Sequence, residues 1–441
     1  MKISFDNVSG LSVASTTHKL VVDPKKEGQK IEAVSEYLTA TLPHPDRKAA
    51  VWTVRFSEDG KRLFTAGYPS GIVQFWDIDA KKEIRRIDTP KGSRGFADYA
   101  QLTDDWKTLY VSEETRKATP IQTDGKKDYQ FDYTGQVLVW DVATGKPKDP
   151  LPPEPKQGAH DSKLLPGSNH LVVVEFKSYK GSDDVRRIPC ESWLWDLKTL
   201  KKHKLGDGYL TPLVLKDGKS GLVTSNDKSG QKSVLKRIDM KTGEVLAQRE
   251  SPDKELSFSI YEITTDGKLA ALGLAGKKGI EFDTRFIDTL TLQDVGRLVG
   301  KADPDGYGSA AGKFSPDDKV YVSGGGAGML TFWDVAQKKV VRSTDLAYGH
   351  QEMEFSPDGR WLAVAWIPKF DTKSVSSRDP DPMDFPQPRV TLIDMKNPDT
   401  KPITMIAPHG FLGSLAFSPD CNRIAFGSAG GVHLFDLSKL K

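Results

Sequence analysis

The sequence predicts an all-β fold made from one unit used eight times, and three recurrent features predict it. A turn built like Ser-Pro-Asp-Gly recurs along the chain, and after one strand and a loop each copy is followed by an aliphatic or aromatic strand ending in Asp. The segments between are rich in β-branched and aromatic residues and are bounded by turn formers. Recurrence of a whole pattern decides the architecture before any single residue does.

Taken in order, the turns are Ser57-Glu58-Asp59-Gly60, Thr103-Asp104-Asp105-Trp106, a degraded Pro166-Gly167-Ser168-Asn169, Lys216-Asp217-Gly218, Thr265-Asp266-Gly267, Ser315-Pro316-Asp317-Asp318, Ser356-Pro357-Asp358-Gly359 and Ser418-Pro419-Asp420-Cys421. The strand-ending acids are Asp77, Asp141, Asp196, Asp239, Asp288, Asp334, Asp394 and Asp436, with Asp283 fitting the fifth repeat almost as well as Asp288. In the first copy Val51 to Phe56 forms a strand, the Asp-Gly turn reverses it, Arg62 to Thr65 returns, Ile72 to Trp76 is a third strand and Glu83 to Ile87 a fourth. Each copy is thus a four-stranded antiparallel meander.

A lone meander has two apolar faces and cannot bury both. Set radially, each sheet covers its neighbour, which is the logic of an eight-bladed β-propeller. The last copy runs out after its third strand, whereas Tyr37 to Leu42 occupies the fourth-strand position just upstream of the first inner strand. The last blade is therefore expected to be closed by an N-terminal strand. Residues 1–36 would then form an extension outside the blades, and residues 37–441 a single propeller domain.

The stretch Tyr37 to His44, then Ala50 to Ser57, then Phe75-Trp76-Asp77 resembles a unit of the WD-repeat family, in the His before the inner strand, the turn after it and the Trp-Asp end of the third strand. The resemblance covers roughly residues 37 to 441. It implies the propeller fold and says little about function. The copies also depart from the family. Trp-Asp survives at Trp76-Asp77, Trp140-Asp141, Trp195-Asp196 and Trp333-Asp334, while Ile238, Ile287, Ile393 and Phe435 replace Trp elsewhere. His44, His160, His350 and His409 suit the family's His, but Ser70 and Ala327 stand where its Asp belongs. Apolar packing, not buried His-Asp networks, is expected to hold most blades.

Composition excludes several classes. With 441 residues and 37% hydrophobic content the chain can bury a sizeable core. Its 60 acids against 63 bases leave a net charge of +3, so no electrostatic case arises for nucleic acid or a membrane surface. The basic runs Lys81-Lys82, Arg85-Arg86, Lys201-Lys202-His203-Lys204 and Lys338-Lys339 fall just after third strands, at the outer blade edge, where lysines deter edge-to-edge pairing. Cys190 and Cys421 form no Cys-x-x-Cys pair, and their repeat positions place them too far apart for a disulfide. No apolar run has signal-peptide or membrane-spanning length, which predicts a soluble, cytoplasmic protein.

Three second-to-third strand loops are enlarged: Glu113 to Gly135, Ser178 to Glu191 and Pro368 to Pro388. In propellers of this type such loops share one face with the blade-to-blade crossings, and long loops in compact domains commonly carry function. The crossings bring aromatic residues to that face: Phe96, Tyr99, Tyr209, Tyr307, Tyr348 and Phe411, with His350 and His409 beside them. Trp366 and Phe370 border the third loop. Phe96, Tyr99, Tyr209, Tyr307, Tyr348, His350, Trp366, Phe370 and Phe411 are the candidate partner-binding residues, because rings near a propeller mouth can anchor a partner's side chains; packing between inner strands is the competing reading.

Other constellations fail as chemistry. Ser323-Gly324-Gly325-Gly326-Ala327-Gly328 joins two strands, opens no helix and lacks Lys-Ser/Thr, so it is read as a tight turn. The acids of Arg378 to Asp384 and Asp303 to Asp305 do not follow calcium-loop spacing. Asp141 to Gly145 and Asp239 to Gly243 look like half of the quinoprotein dehydrogenase turn, but Asp149 and Ala247 stand where its docking Trp belongs. Pro150 to Pro155 reads as a stiff crossing between the second and third blades. The expectation is a non-catalytic platform for a protein partner, with no cofactor and no metal. A lactonase-like hydrolase with a site at the channel mouth, or a structural module of a larger assembly, are the alternatives.

Overall fold

The computed structural model describes residues 35–68, 70–89, 100–123, 126–165, 167–181, 189–208, 210, 212–226, 232–252, 257–275, 282–300, 312–324, 329–345, 350–368, 386–408 and 412–440. These fall into two compact units, one drawn from Met1–Gly67, Gln74–Arg85 and Gln351–Lys441, the other from Tyr68–Val73 and Arg86–His350.

The first strand, β1 (Leu38–Pro43), does not join the sheet that follows it. That sheet consists of β2 (Ala50–Phe56), β3 (Arg62–Tyr68), β4 (Ile72–Asp77) and β5 (Lys82–Asp88) in sequence order. The second unit continues with β6 (Ala100–Leu102) and β7 (Thr108–Ser112), then β8 (Thr115–Thr123) and β9 (Lys126–Thr134), then β10 (Val137–Asp141) and β11 (Lys146–Leu151). Strands β6, β7, β10 and β11 form one four-stranded sheet, and β8 and β9 stand outside it. Next come β12 (Gln157–Leu164), β13 (His170–Lys177), β14 (Tyr179–Gly181), β15 (Cys190–Asp196) and β16 (Lys201–Asp207); here β14 is the strand that leaves its sheet.

Two regular sheets follow: β17 (Leu213–Val214), β18 (Ser220–Asn226), β19 (Ser233–Asp239) and β20 (Val245–Glu250), then β21 (Ser257–Ile263), β22 (Leu269–Ala275), β23 (Phe282–Asp288) and β24 (Asp294–Gly300). The unit ends with β25 (Gly312–Phe314), β26 (Val320–Gly324), β27 (Met329–Asp334) and β28 (Lys339–Asp345). Back in the first unit lie β29 (His350–Phe355), β30 (Trp361–Trp366), β31 (Arg389–Asp394) and β32 (Ile403–Ile406), then β33 (Leu412–Phe417), β34 (Arg423–Ser428) and β35 (Gly431–Asp436). The described residues therefore form eight four-stranded antiparallel sheets. The eighth is completed by β1, which pairs Leu38 with Phe435, Ala40 with Leu434 and Leu42 with Val432.

The recurrent turn has a local cause. Ser57 Oγ donates to Asp59 Oδ1 at 2.5 Å and accepts the Arg62 amide at 2.9 Å, so one hydroxyl and one carboxylate tie both ends of the reversal. The same hydroxyl-to-carboxylate bond joins Thr103 to Asp105, Thr264 to Asp266, Ser315 to Asp317, Ser356 to Asp358 and Ser418 to Asp420. In the fifth copy the hydroxyl is that of Thr264, one residue before the expected Thr265. The next residue needs a left-handed backbone. Gly60 and Gly359 supply it easily at φ 67°, and Trp106, Asp318 and Cys421 adopt it without being glycine.

The strand-ending acids close the third-to-fourth turns. Asp141 Oδ1 accepts both the amide and the hydroxyl of Thr144 at 2.9 Å, and Asp239 and Asp288 hold Thr242 and Thr291 alike. Asp288, not Asp283, takes this place in the fifth copy. The basic runs lie on or at the start of β5, β16 and β28, which are edge strands of their sheets, with Lys81 and Lys338 just before β5 and β28.

Within each unit the core is apolar and layered. Leu63, Trp76, Leu42, Val432 and Leu434 form one layer of the first unit, and Phe286, Phe314, Tyr321 and Trp333 one layer of the second. Two expectations need correction. The stretch from Glu113 to Gly135 is not a loop, because β8 and β9 pair over their whole length, from Thr115 with Thr134 to Thr123 with Lys126. Cys190 is the first residue of β15 and not a loop residue. Of the third enlarged loop, residues 369–385 lie outside the described residues.

Candidate interaction surface

Two of the insertions build one object. Strand β14, from the second, pairs with β9, from the first, matching Tyr179 with Phe131, Lys180 with Gln130 and Gly181 with Tyr129. The result is a three-stranded accessory sheet in the order β14, β9, β8. Alternation along β9 places Tyr129, Phe131 and Tyr133 on one face. Tyr133 and Phe131 are 1% exposed and pack with Val174 and Phe176 of β13, which anchors the accessory sheet to the sheet of β12, β13, β15 and β16. Ring contacts run outward from this anchor: Phe176 to Tyr133 at 5.4 Å, Tyr133 to Tyr179 at 6.4 Å, Tyr179 to Phe131 at 5.0 Å and Phe131 to Tyr129 at 5.7 Å. The Arg116 guanidinium lies 4.4 Å from the Phe131 ring centre. Tyr129, at the outer end, is 39% exposed.

Polar contacts hold the base. His160 of β12 stacks on Phe176 with ring centres 3.8 Å apart, and its Nδ1 is hydrogen-bonded to the buried carboxylate of Glu114, the residue before β8. Glu175 and Glu191 pair across β13 and β15. Burial raises the Glu175 carboxyl above its ordinary range, opposed by the Glu154 amide at 2.8 Å and Lys202 Nζ at 3.0 Å. At Glu191 burial also pushes upward, but hydrogen bonds from Lys177, Lys204 and Gln157 outweigh it and hold the pKa at about 2. Lys202 also reaches Glu154 and the Pro152 carbonyl, so it fixes the Pro-rich crossing between β11 and β12.

With this geometry established, the comparisons are specific about the fold. Residues 36–77 match the family model described as "WD domain, G-beta repeat". The chain is similar in structure to the C-terminal WD40 domain of Sif2, with a TM-score of 0.56 at 12% identity over 90% of this chain and 97% of that one. This likeness gives the fold, a β-propeller, and residues 36–77 match one WD repeat. The propeller is also similar to the computationally designed Ika8 protein, with a TM-score of 0.55 at 15% identity over 90% of this chain and 99% of that one. No curated protein sequence matches it.

Most of the aromatic residues expected to bind a partner, Phe96, Tyr99, Tyr209, Tyr307, Tyr348, Phe370 and Phe411, lie outside the described residues of the propeller, as does His409. His350 opens β29. Trp366 ends β30, where it is buried, donates through Nε1 to Thr391 Oγ1 at 2.9 Å and has the Arg389 guanidinium 5.1 Å from its ring. Sequence reasoning missed Tyr129, Phe131, Tyr179 and Arg116. The signal that could have found them is Asp124-Gly125, a strong hairpin dipeptide, next to the alternating aromatics of Tyr129 to Tyr133. Among the described residues no group of three or more His, Cys, Asp or Glu is placed to hold a metal, and no helix is long and apolar enough to cross a membrane.

Proposed function

We propose that this propeller is a non-catalytic platform for another protein and that the accessory sheet is part of its working surface. Two separate insertions converge on one paired sheet, and that observation carries the reading: drift in loop length gives longer loops, not a shared sheet with its own aromatic packing. Tyr is among the side chains that most often dominate protein interfaces, and Tyr129 presents one at the outer end of the aromatic row, while Arg116 lies over Phe131 nearer its base. The propeller fold commonly serves protein partners, which agrees with this use.

The test is affinity capture from native lysate with the intact chain beside two variants. Tyr129→Ala keeps the accessory sheet, and replacing residues 115–134 by a short Gly-containing turn removes it. Loss of the same partner from both variants, at least tenfold or about 1.4 kcal/mol for the excision, supports the reading. Full retention of every captured partner by the excised variant refutes the assignment of the surface.

A further inference from the structure

Three hydroxyls without hydrogen-bond partners among the described residues sit in the packing between two neighbouring sheets, that of β21 to β24 and that of β25 to β28. Thr284, Tyr321 and Ser323 are 0% exposed, and Thr284 Oγ1, Tyr321 Oη and Ser323 Oγ meet no donor or acceptor among the described residues. Register explains why they converge. Thr284 pairs with Gly273, and Ser323 pairs with Gly312. Both glycines lack the Cβ that would fill the layer, and tyrosine hydroxyls stand over them: Tyr261 over Gly273 and Tyr321 over Gly312.

Thr284 shares a strand face with Phe286, and Ser323 with Tyr321, because each pair is two residues apart. The Phe286 and Tyr321 rings meet edge to face at 5.1 Å, so both faces look into one layer. Burial first, then Tyr261 and Glu262, push the Tyr321 phenol well above its ordinary pKa, which places these groups in one neighbourhood.

A buried hydroxyl left unpaired costs about 1 to 3 kcal/mol, and most buried polar groups in folded proteins find a protein or water partner. We infer that this layer is a hydration site, holding internal water bonded to Tyr321 Oη, Ser323 Oγ and Thr284 Oγ1. Water suits it because a buried water takes two to four polar partners, each hydroxyl can donate or accept, and the three are neutral and offer an ion no charge.

A crystal structure of the full chain, at a resolution that shows ordered solvent, tests the site. The expected result is a solvent peak within about 3.2 Å of Tyr321 Oη and of at least one of the other two hydroxyls. No peak there, with the hydroxyls in van der Waals contact or bonded to protein groups, overturns the inference. If crystals do not form, melting decides. With water present, Tyr321→Phe and Ser323→Ala each lower the midpoint, and the double variant loses less than their sum because both anchor the same molecule. A midpoint for Tyr321→Phe at or above that of the unmodified chain overturns it.

Discussion

Glu114, just before β8, and His160 of β12 are hydrogen-bonded to each other, each side chain only 7% exposed. Glu114 immediately precedes the hairpin β8–β9, while His160 is fixed by the Phe176 stack, so this bond locks the start of the accessory sheet onto the blade beside it. Replacing His160 by Ala leaves a buried carboxylate without this partner and is expected to cost about 1 to 3 kcal/mol, read from the urea midpoint. Glu114→Gln keeps an acceptor and should cost less. Hydrogen exchange should show the β8–β9 amides losing protection before those of β12 and β13. Uniform loss across all of these strands would contradict the locking role.

The seam that completes the eighth sheet should be acid-sensitive. His433 of β35 is buried, with Nδ1 bonded to Thr41 Oγ1 of β1 at 3.1 Å and Nε2 to Ser428 Oγ at 2.7 Å, and burial lowers its pKa from 6.5 to about 4. Between these values the unfolded chain binds a proton that the fold excludes. The stabilisation from neutral His433 is therefore present above pH 6.5 and is lost as pH falls toward 4, on the order of 3 kcal/mol in total. His433→Gln should flatten that part of the pH profile of stability, and an unchanged slope would disprove the role.

Leu42 carries much of the same seam, since it is 1% exposed and packs with Val51, Leu63, Val432 and Leu434. Leu42→Ala should lower stability by about 2 to 5 kcal/mol in denaturant titration. A change below about 1 kcal/mol would mean that β1 contributes little to the core.

Both cysteines are free thiols. Two should titrate in denaturant without any reductant. In the native protein Cys190 should alkylate slowly at pH 8, because burial pushes its thiol up to about 11 and the thiolate is the reactive form. Equal native rates for Cys190 and a small model thiol would show that β15 opens readily.

Strand phase was legible in the sequence because its signals are local. A hydroxyl two residues before Asp ties the first turn, and Asp three residues before Thr, as at Asp141 and Thr144, ties the last. The accessory sheet was not legible because its pairing is remote. Strand β8 has no apolar alternation, and Tyr179 finds Phe131 only after β10, β11, β12 and β13 have intervened. The Glu114 and His160 pair was hidden for a related reason. An acid was sought between the second and third strands, with Asp as the expected type, but Glu occupies the place in this copy and its histidine comes from the next sheet. Trp366, an aromatic residue beside a long loop, is buried within its own sheet.

The pairing of β1 with β35 also has a direction in time. Thr41 and His433 bond across 392 residues of sequence, a closure whose entropic cost is about 5 kcal/mol for a flexible chain and far less once the sheets between them have formed. During synthesis β1 leaves the ribosome before every other strand described and must wait unpaired until β35, the last of them, is made. Its short span and the polar Thr39 and Thr41 on one face suit a strand that spends that interval in water. A ribosome stalled before β35 would carry every other strand yet leave β1 accessible to protease, and its release would bring protection in a single late step.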